Sequence, residues 1–528
     1  MLLHANARCS FAAVWPWLAV AMAWLALADT VSAMIYKAPS GTLKDNCVVW
    51  HNGTFHLLTM YRERIPGGEE LWNNVWLATS SDGVHWKGVG PVIRNAPFII
   101  YAMRAWKVGN RFVLNHGSFT GPNQDVLRFW QSDDLVHWKY LGKEYDVRRP
   151  DGGRLDHMDV IATQHDGRAQ WYGYACGGLL RSADGVKWKW LEDYRLSDRN
   201  WHVGETAGCQ QLAGKYYLLG GNWNGMPQSK GLPGDANYAV LTFVADQPAG
   251  PFRPDYPAFR LHGNSGSRAV AVWAGYCRLP DQVLLTNYVT DPHGDGMPWW
   301  HAPLKKAVVD KDGHLRMGYW PGNDALKGRP VAIRPGNCTQ LFPSPAGGGQ
   351  KANSVVTVKE DVVRVERPAG PSPRWLGYNS PRTALALLKE PFDCRTGFVL
   401  EGRMRVDPLG FGRPVIGLYL EQRPQEGTAA LWHTCRLTEI GTMRLADDAH
   451  FDCDDRTGFG CATVAGIDAQ KASSFRLLFR NDMFELYLND LLVQTYHTDG
   501  ATGRVGFLVR DGQAVFDNLK CWEMSIGN

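Results

Sequence analysis

One octapeptide pattern, Ser-x-Asp-x-Val-x-Trp-Lys, occurs three times in this chain of 528 residues: Ser80–Lys87, Ser132–Lys139 and Ser182–Lys189. The three tryptophans, Trp86, Trp138 and Trp188, are 52 and 50 residues apart. A self-similar period of that length is what one blade of a propeller needs, four short strands with their turns. Within each copy the Asp with Gly83, Leu135 or Gly185 supplies turn chemistry, and Val-x-Trp starts a strand whose alternate side chains share a face. Position and flanks recur together, so the pattern is a structural period and not a by-product of a tryptophan-rich composition.

The chain is long enough for two or three domains, and 45% hydrophobic with 20% charged residues is ordinary globular composition. A net charge of +4 with no basic run excludes a phosphate backbone as the natural partner, so nucleic acid is not expected. The 22 tryptophans serve mostly to pack strands, and some offer flat faces of the kind that stack on sugar rings. Phe11 to Ala28 is an apolar run behind a segment with one arginine, and Val31-Ser32-Ala33 fits a small-x-small cleavage site, so residues 1–33 are expected to be a secretory signal. The protein body is then secreted or periplasmic, with no membrane contact unless the run stays as an uncleaved anchor. Ten cysteines would follow it into an oxidising compartment, where a bridge among Cys435, Cys453 and Cys461 is expected. No Cys-x-x-Cys spacing or histidine cluster supports a metal site or cofactor. Asn52-Gly53-Thr54 and Asn337-Cys338-Thr339 are glycosylation sequons where the host glycosylates.

From Lys44 onward short alternating strands are separated by Gly, Asn, Asp and Pro turns, with no long helical period. Val48–His51, the turn Asn52-Gly53 and Thr54–Leu58 read as a hairpin, and Val75–Thr79 with the first repeat completes a blade. A second unit runs from about Ile99 to Lys139, a third from about Asp156 to Trp190, a fourth from Glu205 to Arg253, and a fifth from Arg268 to about Arg316. The expected fold is all-β: a five-bladed β-propeller over 34–330, a Pro- and Gly-rich linker over 331–374, and a C-terminal concanavalin-like β-sandwich over 375–528, where Gly397–Val406, Phe475–Arg480 and Met483–Leu488 alternate with period two.

The first strand of each propeller blade lines the central axis, so a polar residue just ahead of it faces the funnel. Asp45 precedes Val48-Val49, Asp156 precedes Val160-Ile161, and Glu205 precedes Cys209–Leu212. Glycoside cleavage needs carboxylates in such a convergent set, one protonated as acid, one ionised as nucleophile or base, and often a third to steady the oxocarbenium-like state. Asp159, three residues beyond Asp156, competes for the third place.

On these residues the chain resembles the five-bladed-propeller glycosidases, the invertase and levanase family (glycoside hydrolase family 32) and the arabinanase and xylosidase family (family 43). Asp134-Leu135-Val136-His137-Trp138 is typical of that group. Glu205-Thr206-Ala207-Gly208-Cys209, with Gly214-Lys215-Tyr216 behind it, resembles the invertase acid motif, and the resemblance gives Glu205 the acid role. Lys44-Asp45-Asn46-Cys47 resembles the strand opening that carries the nucleophile or base, which implies Asp45; Asp156-His157-Met158-Asp159 sits where the third acid belongs. The invertase signature Asn-Asp-Pro-Asn-Gly is missing, and its Arg-Asp-Pro is replaced by Arg154-Leu155-Asp156, which puts fructan specificity in doubt. The resemblance implies a secreted glycoside hydrolase acting on an oligo- or polysaccharide, fructosidase-like or arabinofuranosidase/xylosidase-like; whether configuration is retained or inverted follows from the separation of Asp45 and Glu205, with retention favoured.

Arg104, His157 and Trp223 are candidates for substrate contacts, and Trp299-Trp300 for stacking. For most of His51, His56, His116 and His157 a core or turn position is the better expectation. Two other readings stay open. A non-catalytic carbohydrate-binding propeller would use the acids only as hydrogen-bond acceptors. A sialidase-like enzyme would explain the Ser-x-Asp turns, although Trp here follows Asp by four residues, one fewer than in that enzyme's repeat, and the blade count is five where six is needed.

Overall fold

The computed structural model describes residues 32–526 apart from 65–70, 119–122, 166–167, 198–200, 202, 224–237, 265–270, 291–298, 334–337, 342–354, 360–361, 368–382, 410–412, 435–436, 446–449, 458–460, 462–466 and 499. The described chain is almost wholly β; one short 3₁₀ turn, Pro321–Leu326, is its one helical element. No helix among the described residues is long and apolar enough to cross a membrane. The apolar run, Trp299's side chain and Cys435 lie outside what is described.

Five antiparallel meanders follow one another. Their first strands are Thr42–His51, Tyr101–Val108, Met158–His165, Glu205–Leu212 and Ala271–Arg278, and each pairs with the next strand in sequence. These first strands touch in cyclic order, the first also meeting the fifth, so they surround a common axis. Asn52 and Gly53, both at positive φ, make the tight turn of the first hairpin that an Asn-Gly pair dictates. All three repeats form the same corner between third and fourth strands. Asp82 Oδ1 accepts the N–H groups of Val84 and His85 at 2.9 and 2.8 Å, Asp134 those of Val136 and His137, and Asp184 those of Val186 and Lys187. In each a serine hydroxyl donates to that same oxygen at 2.9–3.0 Å. Gly83, Leu135 and Gly185 share the left-handed backbone, and Trp86 and Trp188 are buried beneath their corners.

The chain ends close the arrangement. Ser32–Ala33 pair with His85–Trp86 on the outer edge of the first meander, and Tyr36 exchanges two 3.0 Å backbone hydrogen bonds with His301 of the fifth. Cleavage after Ala33 would remove that two-residue strand. At the other terminus His85 Nε2 donates to the carbonyl of Ser525 at 2.9 Å.

Two further sheets, one of them continuous with the fifth meander through Gly318 and Leu491, form the C-terminal sandwich. Phe475, Phe479, Phe484, Phe507, Phe516 and Trp432 fill the space between them. Here the structure corrects the expected boundary. The supposed linker 331–374 contributes Cys338–Leu341, Val355–Lys359 and Val362–Arg367 to the sandwich sheets, the last two as an antiparallel hairpin beside Gly512–Met524. The Val-rich alternation of 355–365 specifies those strands; the adjacent Pro- and Gly-rich run hides it from a composition count. Nor are the two parts independent. Lys305 and Glu485 form a fully buried ion pair across the joint, with Asn287 Oδ1 and the Pro303 carbonyl each 2.7 Å from the ammonium and Tyr487 donating to the carboxylate at 2.6 Å.

Candidate functional site

The mouth of the axis is shaped by β-bulges. Pairing of the first inner strand skips Asp45, which sits at φ 39 between Lys44 and Asn46; the second skips Ala102 and Met103, the fourth Ala207, and the fifth Trp273 and Ala274. A bulge leaves its extra residue out of the ladder and re-aims its side chain, which is how Asp45 leaves the strand alternation to face the axis. The third inner strand pairs regularly from Met158, and the acid ahead of it is held from outside. Gly117 lies against the Leu155–Asp156 backbone so closely that a Cβ would overlap the Leu155 carbonyl, and the Gly117 N–H donates to the Asp156 carbonyl. Gly220 meets the Val203 carbonyl, just ahead of Glu205, in the same way.

These devices bring Asp45, Asp156 and Glu205 together. Arg154 clamps Asp156 with two 2.5 Å bonds and reaches Glu205 Oε1 with the same Nη2 at 3.0 Å. Lys44 donates to the Tyr101 hydroxyl at 2.5 Å, and its ammonium and the Arg154 guanidinium lie 4.6 and 5.8 Å from the Tyr101 ring centre, so one phenol ring joins the two cations. Tyr288, from the fifth meander, lies close enough to Asp45 to favour its charged form. Beside Glu205 a cleft open to solvent is walled by Arg149, Cys176, Asp193, Trp201 and Val203.

Burial, then the negative charge of Asp156, with Asp45 adding, pushes the Glu205 carboxyl up to about 7, against the opposing Arg154. Burial also raises Asp45, with the Asp156 charge adding, while Lys44, Tyr288 and Arg104 favour its charged form. Asp156 is raised by burial and opposed by Arg154 and Lys44. Burial thus raises all three carboxyls, nearby cations oppose the rise at Asp45 and Asp156, and Glu205 is poised to carry a proton near neutrality.

The other sequence candidates fall elsewhere. Asp159 accepts from Arg278 at 2.9 and 3.4 Å and from the Cys209 N–H at 3.1 Å, a strut between the third, fourth and fifth meanders. Arg104 is buried, and its guanidinium is engaged by main-chain carbonyls. His157 is also buried, its ring 5.2 Å from that of Trp273 and neither nitrogen hydrogen-bonded among the described residues, and burial with Arg104 and Arg154 nearby favours its neutral form. Trp223 ends the strand Lys215–Trp223, and its side chain is outside the description. Trp300 is buried between Lys37 and His497. His51 is at the far end of the Asp45 strand, about 20 Å away at the rise of a β-strand. Lys44, Tyr101, Arg154 and Tyr288 are the residues that sequence reasoning missed. Arg154 could have been found, because an extended chain puts residues two apart on one side and Asp156 is two along.

No family model matches the sequence, and no curated protein matches it. Solved structures do. A GH32 beta-fructofuranosidase from Bombyx mori superposes with a TM-score of 0.60 at 12% identity, covering 96% of this chain and 98% of that one. The sucrose-6-phosphate hydrolase of Lactobacillus gasseri gives 0.59 at 13%, covering 94% and 93%. A glycoside hydrolase family 32 protein of Bifidobacterium adolescentis gives 0.61 at 12%, covering 94% and 81%. The fold is that of the family 32 glycoside hydrolases. Coverage above nine-tenths of this chain includes the sandwich, so the likeness extends over both parts.

Proposed function

We propose that the chain is a secreted glycoside hydrolase built as a five-bladed propeller with a C-terminal sandwich, cleaving an oligo- or polysaccharide with Asp45 as nucleophile, Glu205 as general acid and Asp156 as stabiliser of the oxocarbenium-like state. The observation that carries this reading is the meeting of three acids from three separate meanders, one of them tuned to about pH 7. Asp45 attacks the anomeric carbon as the exocyclic C–O bond breaks, and the Glu205 proton goes to the leaving oxygen. Water then displaces the Asp45 carboxylate from the sugar and returns its proton to Glu205, so configuration is retained. The neighbours named as fructofuranosidase and sucrose-6-phosphate hydrolase make a furanoside the first substrate class to try, with arabinofuranosides and xylosides next. A sugar-binding propeller without catalysis has no use for a protonated acid beside two charge-supported carboxylates, and a six-bladed sialidase does not fit five meanders.

The test is substitution. Glu205→Gln should lose at least a hundredfold in kcat/KM on sucrose or another unactivated disaccharide and much less on 4-nitrophenyl glycosides, whose leaving group needs little protonation. Asp45→Asn should abolish both, and NMR of the first product of the parent enzyme should show the starting anomeric configuration. Full activity of either variant on a disaccharide would remove the assignment.

A further inference from the structure

Four bulged inner strands meet one side chain. Arg104 Nη1 donates to the Asn46 carbonyl at 2.7 Å and to the Met103 carbonyl at 2.9 Å, and Nη2 donates to the Ala207 carbonyl at 3.1 Å. Asn46 directly follows the bulged Asp45, Met103 belongs to the bulge of Arg104's own strand, and Ala207 is the bulged residue two after Glu205. In the fifth strand Gly275, the first residue paired after its bulge, leaves room for the guanidinium; a Cβ there would come within 2.7 Å of Nη2 and 3.2 Å of Cζ. The third strand is tied in separately by Asn115, whose amide takes the N–H of Met158 at 2.7 Å and donates to its carbonyl at 2.6 Å.

We propose that Arg104 is a positioning residue that sets the separation of Asp45 and Glu205, by holding the carbonyl of Asn46, next to Asp45, and that of Ala207, two residues beyond Glu205, on one rigid guanidinium. This rests on the reading of those acids given above. In glycosidases the carboxylate separation decides whether a side chain or a water attacks the sugar: about 5 to 5.5 Å for direct attack, roughly 6.5 to 9.5 Å where a water must fit. A planar fork with fixed donor directions is suited to holding two carbonyls apart at constant distance, and a lysine ammonium, a point donor on a flexible stem, is not. Bulges alone would not do this, since each is a local irregularity in a different sheet. The shared guanidinium makes their geometry common.

Two variants test it without touching the acids. Arg104→Lys keeps the charge and loses the fork; Gly275→Ala keeps the arginine and displaces it from Ala207 by one methyl group, at a glycine whose backbone an alanine can adopt. On whichever of sucrose, 4-nitrophenyl α-L-arabinofuranoside or 4-nitrophenyl β-D-xyloside the parent hydrolyses, both should fold and lose at least tenfold in kcat with KM within about threefold. On the aryl glycoside, sodium azide should restore turnover at least fivefold by entering the widened gap. Its C–N bond forms as the C–O bond to 4-nitrophenolate breaks, giving a glycosyl azide of inverted configuration. A role in stability alone lowers the amount of folded enzyme and creates no azide dependence. The proposal is overturned if the variants keep the parent's kcat, if activity falls without azide rescue, or if Gly275→Ala fails to fold, which would make Arg104 structural only. An active Asp45→Asn would instead refute the reading of the acids, whatever the Arg104 variants do.

Discussion

Replacing Asp156 by asparagine should move the basic limb of the pH profile toward acid, and the size of the move can be worked out. Arg154 Nη2 stands 2.5 Å from Asp156 Oδ2 and 3.0 Å from Glu205 Oε1, so those oxygens are no more than about 5.5 Å apart. A unit charge at that distance, in an effective dielectric near 20, is worth about 3 kcal/mol, or about two pH units. Burial remains the larger cause of the raised Glu205 and is not changed by the substitution, while Arg154, relieved of a charged partner, turns its attraction fully to Glu205. Both changes lower the acid's pKa from about 7. The limb of kcat/KM that reports the free enzyme's general acid should therefore fall by roughly one to two units, whatever happens to the height of the profile. The assay is kcat/KM for Asp156→Asn on an unactivated disaccharide between about pH 4 and 9, because an activated aryl glycoside would mask protonation of the leaving group. A limb that stays near pH 7 or moves to higher pH would refute the electrostatic account of Glu205.

The same group affects stability. Glu205 titrates near 4.5 when unperturbed and at about 7 in the fold, so its contribution to stability is complete below the lower value and lost as pH rises through the higher, roughly 3 kcal/mol in all. Glu205→Gln, which cannot ionise, should thus resist urea better than the parent at pH 8 and match it at pH 4; an equal gain at both would contradict this. At the joint between propeller and sandwich, Lys305→Met or Glu485→Gln alone leaves a buried partner uncompensated and should cost about 3–5 kcal/mol, a few degrees in Tm for a chain of this length. Lys305→Met with Glu485→Leu should recover most of it, and additive losses would show that the pair is not coupled.

Much of this was legible in the chain. The repeat of Ser-x-Asp-x-Val-x-Trp-Lys marks a corner built from one side chain and its own neighbouring amides, a local device that survives without tertiary context. The placement of Asp45, Asp156 and Glu205 at the openings of three inner strands was readable by register, with Asp45 inside its strand, Glu205 first in its own and Asp156 two residues ahead. What register could not see was the bulge. An extra residue in the ladder shifts side-chain alternation, and the placing of Asp156 depends on a close approach of Gly117 to Leu155 that joins separate strands. Arg104 and His157 looked like ligands because they lie at strand openings as the acids do, but their surroundings in the fold are main-chain carbonyls for Arg104 and the Trp273 ring for His157. Tyr288 and the Lys305–Glu485 pair are joined to their partners only through tertiary packing across long stretches of chain. Val355–Arg367, by contrast, was visible as strand and was lost only because an adjacent glycine- and proline-rich run dominated the local composition.

The way the termini are secured also sets the order of assembly. The outer edge of the first meander is finished by Ser32–Ala33, and its corner histidine binds a carbonyl 440 residues further along the chain. Tyr36 must find the fifth meander, and Arg480 of the sandwich binds the Ala33 carbonyl. The edge strand is therefore local in sequence, whereas the partners of His85 and Tyr36 lie hundreds of residues further along the chain. Such non-local closure is slow and exposes pairing edges in the meantime. The first sheet thus forms before the distant partners of His85 and Tyr36 exist, so loss of those contacts should lower the yield of folded protein more than their small area suggests.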